Sequence, residues 1–284
     1  MDVTRALVLA GGGLAGIAWE LGFLLGVQDE SRDTATALVG SDLILGTSAG
    51  SVVGAQITSG RPLAESFECQ LDVGPGELEP AVDLRLLSDM FQSHTDAELD
   101  ARLRRIGAMA SDVHTVSEQA RREAIATRLP DPEWPAGPLA ITATDIDTGD
   151  VVLFDRDAGV PLIDAVTASC AVPGVWPIVT IDGRRYMDGG VGSAANLRFA
   201  GAHDQVIVLR PGEDPGTSLL GRDLRDEVAG MTADVLPVFA DTDSLNAFGT
   251  NPLSPSTRPG AAGAGRAQGR QDAQRVADFL THGR

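Results

Sequence analysis

The sequence predicts an α/β protein: three α/β/α layers around a mainly parallel central sheet, with a helical section in the middle of the chain. Three observations carry that reading. Short apolar runs of the kind that form strands buried on both faces stand at Ala6–Ala10 (ALVLA) and Ser41–Leu45 (SDLIL). Each leads through a glycine-bearing turn into a helix-like stretch, Leu14 to about Gln28 and Ser48 to about Thr58, the alternation of a parallel sheet covered by helices. A chain of 284 residues also buries roughly three quarters of the surface its unfolded form exposes, so it needs no staple.

The remaining elements follow in order. Gly74, Pro75, Gly76 and Pro80 mark a loop. Asp83 to Leu129 reads as helical, with Leu, Ile, Met and Ala spaced between charged residues. We read this 83–129 section as a pair of amphipathic helices packed on the core, with a cap inserted over the sheet as the other reading. Pro130–Pro138 (PDPEWPAGP) is an extended connector. Leu139–Ala143 and Val151–Phe154 form a hairpin around Asp147-Thr148-Gly149-Asp150, and Ile178–Ile181 and Arg185–Met187 flank a second turn at Asp182-Gly183. His203–Leu209 holds another apolar strand, and Pro211–Gly216 is a turn-rich loop. Residues 1–249 are read as the main domain. Residues 250–284 are read as a Pro/Gly/Ala-rich loop closed by a short helix at Gln271–Thr281.

Composition narrows the function. Forty acidic against 22 basic residues, all of the latter Arg, leave a formal charge of −18. Such a field repels phosphate backbones and anionic bilayers, which argues against nucleic-acid partners and limits membrane contact to transient, apolar touches. Cys69 and Cys170 are the only cysteines, which suits a reducing, cytoplasmic setting. Glycines 11–13 interrupt the N-terminal apolar run before it reads as a secretory signal, and no 18-residue apolar window reads as a membrane span. No Cys/His cluster has metal-ligand spacing. The sequence assigns no oligomeric state.

Gly46-Thr47-Ser48-Ala49-Gly50 has the form G-x-S-x-G between a buried-type strand and a helix. A serine hydroxyl is a poor nucleophile and has to be presented in a strained turn, beside a helix N-terminus that favours developing negative charge. Gly11-Gly12-Gly13-Leu14-Ala15-Gly16 places backbone N–H groups at another helix start. It also satisfies the dinucleotide pattern G-x-G-x-x-G, which asks for an acidic residue about 20 positions on, at a strand end. Glu30 and Asp33 are in range, but neither closes an apolar strand, so an oxyanion hole beside Ser48 is the better reading. Of the four histidines (His94, His114, His203 and His282), His203 alone follows Asp188 and precedes a strand, the order a Ser…Asp…His triad asks for. Asp188-Gly189-Gly190, taken alone, is a turn.

Taken together, GGGLAG, GTSAG and DGG in this order resemble the patatin-like phospholipase family. Ala168-Ser169-Cys170-Ala171-Val172-Pro173 with Trp176-Pro177 is similar to that family's A-S-x-A-x-P block. The resemblance runs from Ala6 to about Ala194 and implies a serine acyl hydrolase, phospholipase A-like, with a Ser–Asp dyad and no cofactor. Carried over, Ser48 is the nucleophile and Asp188 the general base. The N–H groups of Gly11, Gly12 and Gly13, helped by Ala49, form the oxyanion hole, and the partner is a lipid or other carboxylic ester. The chain departs from the family at Ala15, where many members carry Arg or Lys. Leu14, Trp19, Val52, Val172, Val175 and Trp176 are candidate linings for an acyl chain. Two other readings stand beside this one: a dinucleotide-binding oxidoreductase using the first glycine loop, and a catalytically silent member of the family.

Overall fold

A computed structural model describes residues 3–72, 77–92, 98–214 and 223–282. The predicted loop at Gly74-Pro75-Gly76, the end of the Pro211–Gly216 loop and His94 lie outside the described residues. In chain order the strands are β1 (Arg5–Leu9), β2 (Leu43–Thr47), β3 (Leu139–Asp145), β4 (Val151–Phe154), β5 (Val179–Ile181), β6 (Arg184–Asp188), β7 (Gln205–Arg210) and β8 (Asp234–Phe239). The helices are α1 (Gly13–Glu30), α2 (Arg32–Val39), α3 (Ala49–Thr58), α4 (Leu63–Leu71), α5 (Leu84–Gln92), α6 (Leu99–Ser111), α7 (Glu118–Ala126), α8 (Leu162–Ser169), α9 (Leu224–Ala229), α10 (Thr242–Phe248) and α11 (Arg258–His282).

All eight strands form one sheet of order β5-β6-β3-β2-β1-β7-β8, with β4 added to β3. β3, β2, β1, β7 and β8 run parallel, and β4, β5 and β6 join antiparallel. Both predicted hairpins form; at the second, Asp182 and Gly183 take φ +48° and +79°, the left-handed pair a type I′ turn needs.

One face of the sheet, through Leu7, Leu9, Ile44, Ile141, Ile207 and Leu209, packs against α1, α3, α8 and α11. The opposite face, through Ala6, Val8, Leu45, Val206 and Val208, is covered by a 3₁₀ turn at Leu197–Ala200 and the short α9. The layers are therefore unequal: long helices on one side, a thin cover on the other. Among the described residues the middle section holds three helices, α5, α6 and α7, in place of the expected pair. Met90, Leu103, Ile106 and Ala110 close a small separate core with Ile146 and Met187, at the antiparallel edge of the sheet.

The C-terminal reading is corrected. In place of a loop over 250–269 and a short helix, α11 runs for 25 residues from Arg258. A Cβ on Gly22 or Gly26 of α1 would come within 2.3 Å of Ala262 O or 2.2 Å of Arg266 O. A Cβ on Gly265 or Gly269 of α11 would meet Trp19 O at 2.3 Å or Phe23 O at 2.1 Å. The two helices thus touch backbone to backbone, and dispersion attraction across that close joint offsets the poor intrinsic helix propensity of glycine. Trp19 locks the joint, its indole N–H pointing at Ser244 Oγ (3.0 Å) and Gln268 Oε1 (3.1 Å).

Candidate active site

Strand register builds the site. β2 runs beside β3 with Thr47 opposite Thr142, and β6 runs beside β3 with Asp188 opposite Ala143, one residue further along. The residue after Thr47 and the last residue of β6 therefore converge on the same point of β3. There the Ser48 Oγ donates a hydrogen bond to Asp188 Oδ2 at 2.6 Å, across 140 positions of sequence.

Ser48 is held at φ +53°, ψ −114°, a conformation that costs a non-glycine residue about 1–3 kcal/mol. The surrounding glycines make the turn feasible, because a Cβ on Gly50 would lie 2.0 Å from Leu9 O and one on Gly46 2.6 Å from Gly50 O. The Gly50 N–H donates to Ala10 O at 3.2 Å, and Ser51 Oγ donates to Ser48 O at 2.6 Å. The elbow is thereby tied to the end of β1 and to the start of α3.

Asp188 is held as firmly. Its Oδ1 accepts from Gly190 N at 2.7 Å, its own N–H donates to Ala171 O at 2.9 Å, and Thr144 Oγ1 donates to its carbonyl at 3.0 Å. Burial pushes its carboxyl up to about 6, against the Ser48 and Gly190 hydrogen bonds and the Arg121 charge, which pull it down. The Ala168–Pro173 block lies against Ser48: Ser169 Oγ accepts its N–H at 2.8 Å, and Cys170 Sγ donates to its carbonyl at 3.3 Å. Beneath both catalytic candidates, the Asn196 amide donates to Thr47 Oγ1 at 3.2 Å and to Gly189 O at 3.0 Å. Sequence reasoning picked out neither Ser169 nor Asn196 for these bridging positions.

The glycine loop faces Ser48, since a Cβ on Gly11 would lie 3.5 Å from the Ser48 Cβ. One donor expectation is corrected. The N–H of Gly11 is engaged, donating to Ala194 O at 3.1 Å, so Gly11 supplies no free donor as the loop stands. Gly12 caps α1, Gly13 opens it and Ala49 opens α3, positions whose N–H groups have no partner within their helix. Gly13 needs its φ of +66°, and a Cβ there would lie 2.7 Å from Pro252 O. Ala15 is fully buried. A cation reaches the loop from elsewhere: Arg210, at the end of β7, donates from Nη1 to Gly11 O at 3.2 Å.

The acidic residues a dinucleotide site would use lie far from this loop. Glu30 ends the 18-residue α1, about 25 Å along the helix from the glycines, and Asp33 sits in the first turn of α2. Neither follows a strand. His203 precedes β7, at the sheet edge opposite Ser48, with Nδ1 3.2 Å from Ala200 O. His114 is exposed in the loop after α6. No hydrogen bond joins a histidine to Ser48 or Asp188 among the described residues. Nor, among those residues, does any group of three or more His, Cys, Asp or Glu gather as a metal site.

Ser48 and Ala49 open onto a cavity of about 20 Å³ walled by Leu14, Val172, Trp176 and Arg121. Of the expected apolar linings, Leu14, Val172 and Trp176 are therefore placed there. Trp19 and Val52 are fully buried in the core, and Val175 is 5% exposed without lining this cavity. A second cavity of about 320 Å³ shares Leu14, Ile17 and Arg128 with the first. Among the described residues no helix is long and apolar enough to cross a membrane.

Residues 7–200 match the profile of the patatin-like phospholipase family. The chain belongs to that family, and membership supports the hydrolysis of lipid esters as its class of reaction. No curated protein matches it. Among solved structures it is similar to VipD from Legionella pneumophila, at 12% identity and a TM-score of 0.47, over 97% of this chain and 67% of that one. It is also similar to the type III effector protein ExoU, at 16% identity and a TM-score of 0.41, over 97% of this chain and 54% of that one. At these scores neither likeness carries functional weight.

Proposed function

We infer that the protein is a serine acyl hydrolase in which Ser48 and Asp188 work as a dyad on a lipid or other carboxylic ester. The 2.6 Å hydrogen bond from Ser48 Oγ to Asp188 Oδ2, formed in a strained elbow, carries this reading. As the serine oxygen attacks the ester carbonyl carbon, its proton passes to Asp188. The carbonyl oxygen becomes an anion, met by the N–H groups of Gly12, Gly13 and Ala49 and by the positive ends of α1 and α3. Collapse of this intermediate breaks the ester C–O bond, and the alcohol departs with the proton from Asp188. The acyl group is left on Ser48. Asp188 then takes a proton from water as that water attacks the acyl-enzyme, and a second collapse frees the acid and restores the serine.

A base with its pKa raised towards 6 suits this work, because proton transfer is most effective when donor and acceptor strengths approach each other. Two free thiols fit the cytoplasmic setting we propose, with at most transient membrane contact and no nucleic-acid partner. The decisive experiment is labelling with a fluorophosphonate probe followed by peptide mapping. Label on Ser48, lost together with p-nitrophenyl ester turnover in Ser48→Ala, is the expected result. Persistence of either in that variant overturns the assignment, and an unlabelled, inactive parent protein makes the chain a silent member of its family.

A further inference from the structure

The wall of the catalytic cavity carries a cation that the hydrolytic steps above do not use. Arg121, on α7, is 3% exposed. Its guanidinium stacks 3.8 Å from the centre of the Trp176 ring, and its Nε and Nη1 have no hydrogen-bond partner among the described residues. It lines the same cavity as Ser48. A buried charge left without a partner is among the costliest features a fold can keep.

The neighbouring charges do not neutralise it. In the adjoining cavity a single carboxylate, Glu77, is shared by two guanidiniums: Arg128 Nη2 at 2.5 Å and Arg258 Nη1 at 3.1 Å. Arg258 is further held by Gln70 Oε1 at 3.1 Å and by the carbonyl of Cys69. Arg61 and Asp72, at the exposed rim, offset each other in sign. Asp188 offsets part of the Arg121 charge through space, but its oxygens accept from Ser48 and Gly190 and make no hydrogen bond to the guanidinium among the described residues. Three arginines thus face two carboxylates, Glu77 and Asp188, at this end of the sheet, a local positive excess in a chain whose net charge is −18. Burial draws the Arg121 guanidinium down to about 10, which leaves it charged at neutral pH.

We propose that Arg121, backed by Arg128, is the receptor for an oxyanion on the substrate, a phosphate or carboxylate attached to the ester that Ser48 attacks. A planar guanidinium with two free edges matches such a group bidentately, and its ring partner holds it flat for that contact. Arg121 is a specificity residue, since it chooses which ester is held over Ser48 while the dyad performs the chemistry. This inference rests on the hydrolase reading and deepens it by naming a charged substrate.

The test compares a short-chain 1-acylglycerol 3-phosphate with the 1-acylglycerol of the same chain on the parent protein, Arg121→Gln and Arg121→Lys. The ratio of kcat/KM for the phosphate ester over the neutral ester is expected to fall about 10- to 100-fold in Arg121→Gln and to recover in part in Arg121→Lys. A ratio unmoved by Arg121→Gln, with both rates lowered together or both retained, overturns the proposal.

Calorimetry in the Ser48→Ala background covers the case of a protein that hydrolyses neither ester. There the phosphate ester should bind at least about tenfold tighter than the neutral one, and Arg121→Gln should abolish that preference. Equal affinities overturn the proposal, and inorganic phosphate binding as tightly as the acyl phosphate overturns it as a substrate site. Should Arg121→Gln fail to fold, competition on the parent protein decides. Glycerol 3-phosphate is expected to inhibit turnover of the neutral ester, or in an inactive parent to displace the bound acyl phosphate, and failure to do so overturns the proposal.

Discussion

Glycine does the same mechanical job in two regions of this protein, with different consequences. At the elbow, Gly46 and Gly50 let the start of α3 press against the end of β1, so that one non-glycine residue between them, Ser48, is forced into a strained and presented position. Between α1 and α11, Gly22, Gly26, Gly265 and Gly269 let two helices meet at backbone distance, and nothing between them is strained or presented. The first contact stores strain for chemistry, and the second yields stability. The difference lies in what surrounds the glycines: a strand end and the first turn of a helix in one case, two regular helices in the other.

The largest effect should come from the strained side. Asp188→Asn removes the proposed proton acceptor while keeping the shape, and we expect ester turnover to fall by about 10⁴-fold. The parent's kcat/KM should rise with pH through about 6, as the Asp188 carboxyl ionises. Stability moves the other way. The carboxyl is raised from 3.8 to about 6 in the folded protein, so its contribution is full below pH 3.8 and is lost as pH climbs through 6. Asp188→Asn should therefore match the parent in unfolding free energy near pH 3.5 and exceed it by up to about 3 kcal/mol near pH 8. Denaturant titrations at the two pH values check this, and a gap that does not widen with pH contradicts the buried, ionisable base.

A second perturbation reaches the same end of the sheet indirectly. Arg210 positions the glycine loop through Gly11 O, and a misplaced donor set weakens the oxyanion contact more than substrate binding. Arg210→Met should lower kcat about 10- to 100-fold, with KM close to the parent value and partial rescue in Arg210→Lys. Steady-state kinetics that instead show a raised KM at constant kcat would place Arg210 in substrate binding.

The helix pair answers to stability alone. In Gly269→Ala the new Cβ would lie 2.1 Å from Phe23 O, forcing the helices apart at a cost of about 1–3 kcal/mol. That is a fall of roughly 2–4 °C in Tm per kcal/mol for a chain of this size. Turnover at a temperature where the variant stays folded should match the parent, because no atom of the elbow rests on that contact. Thermal melts and ester kinetics on one preparation separate the two regions.

The elbow was legible in the sequence because its parts are local. A strand, two glycines around a serine and a helix start fall within a dozen residues, and each obeys a steric rule that can be read without a partner. Asp188 was legible only beside the other motifs, since its partner on β3 is set by strand order. α11 was not legible: its glycines read as loop because the surface that justifies them is α1, with Arg266 reaching Asp29 across 237 positions. Arg121 was passed over inside a charge-rich helix, Glu-Gln-Ala-Arg-Arg-Glu-Ala-Ile-Ala, where a solvated arginine is the usual outcome. A signal was there, however: Arg121, Ala124 and Ile125 share the buried face at i, i+3 and i+4. Ser169 was legible as part of its block but its contact with Ser48 was not, and Arg210 carries no local signature, since only the folded sheet brings them to Ser48 and Gly11.

The smallest expected effect is the sharpest control. Gly263 lies on α11 two residues before the first glycine that touches α1, yet a Cβ built on it would meet nothing within 4 Å. If close approach explains the glycines of this helix, Gly263 is the exception that pays only the entropic cost of a flexible residue in a helix interior. Gly263→Ala should then raise the unfolding free energy by roughly 0.5–1 kcal/mol, opposite in sign to Gly269→Ala six residues on. Chemical denaturation of the two variants side by side decides between composition and contact. Destabilisation by both would mean that α11 tolerates no added bulk on either face, and the backbone-contact account of α1 and α11 would fall.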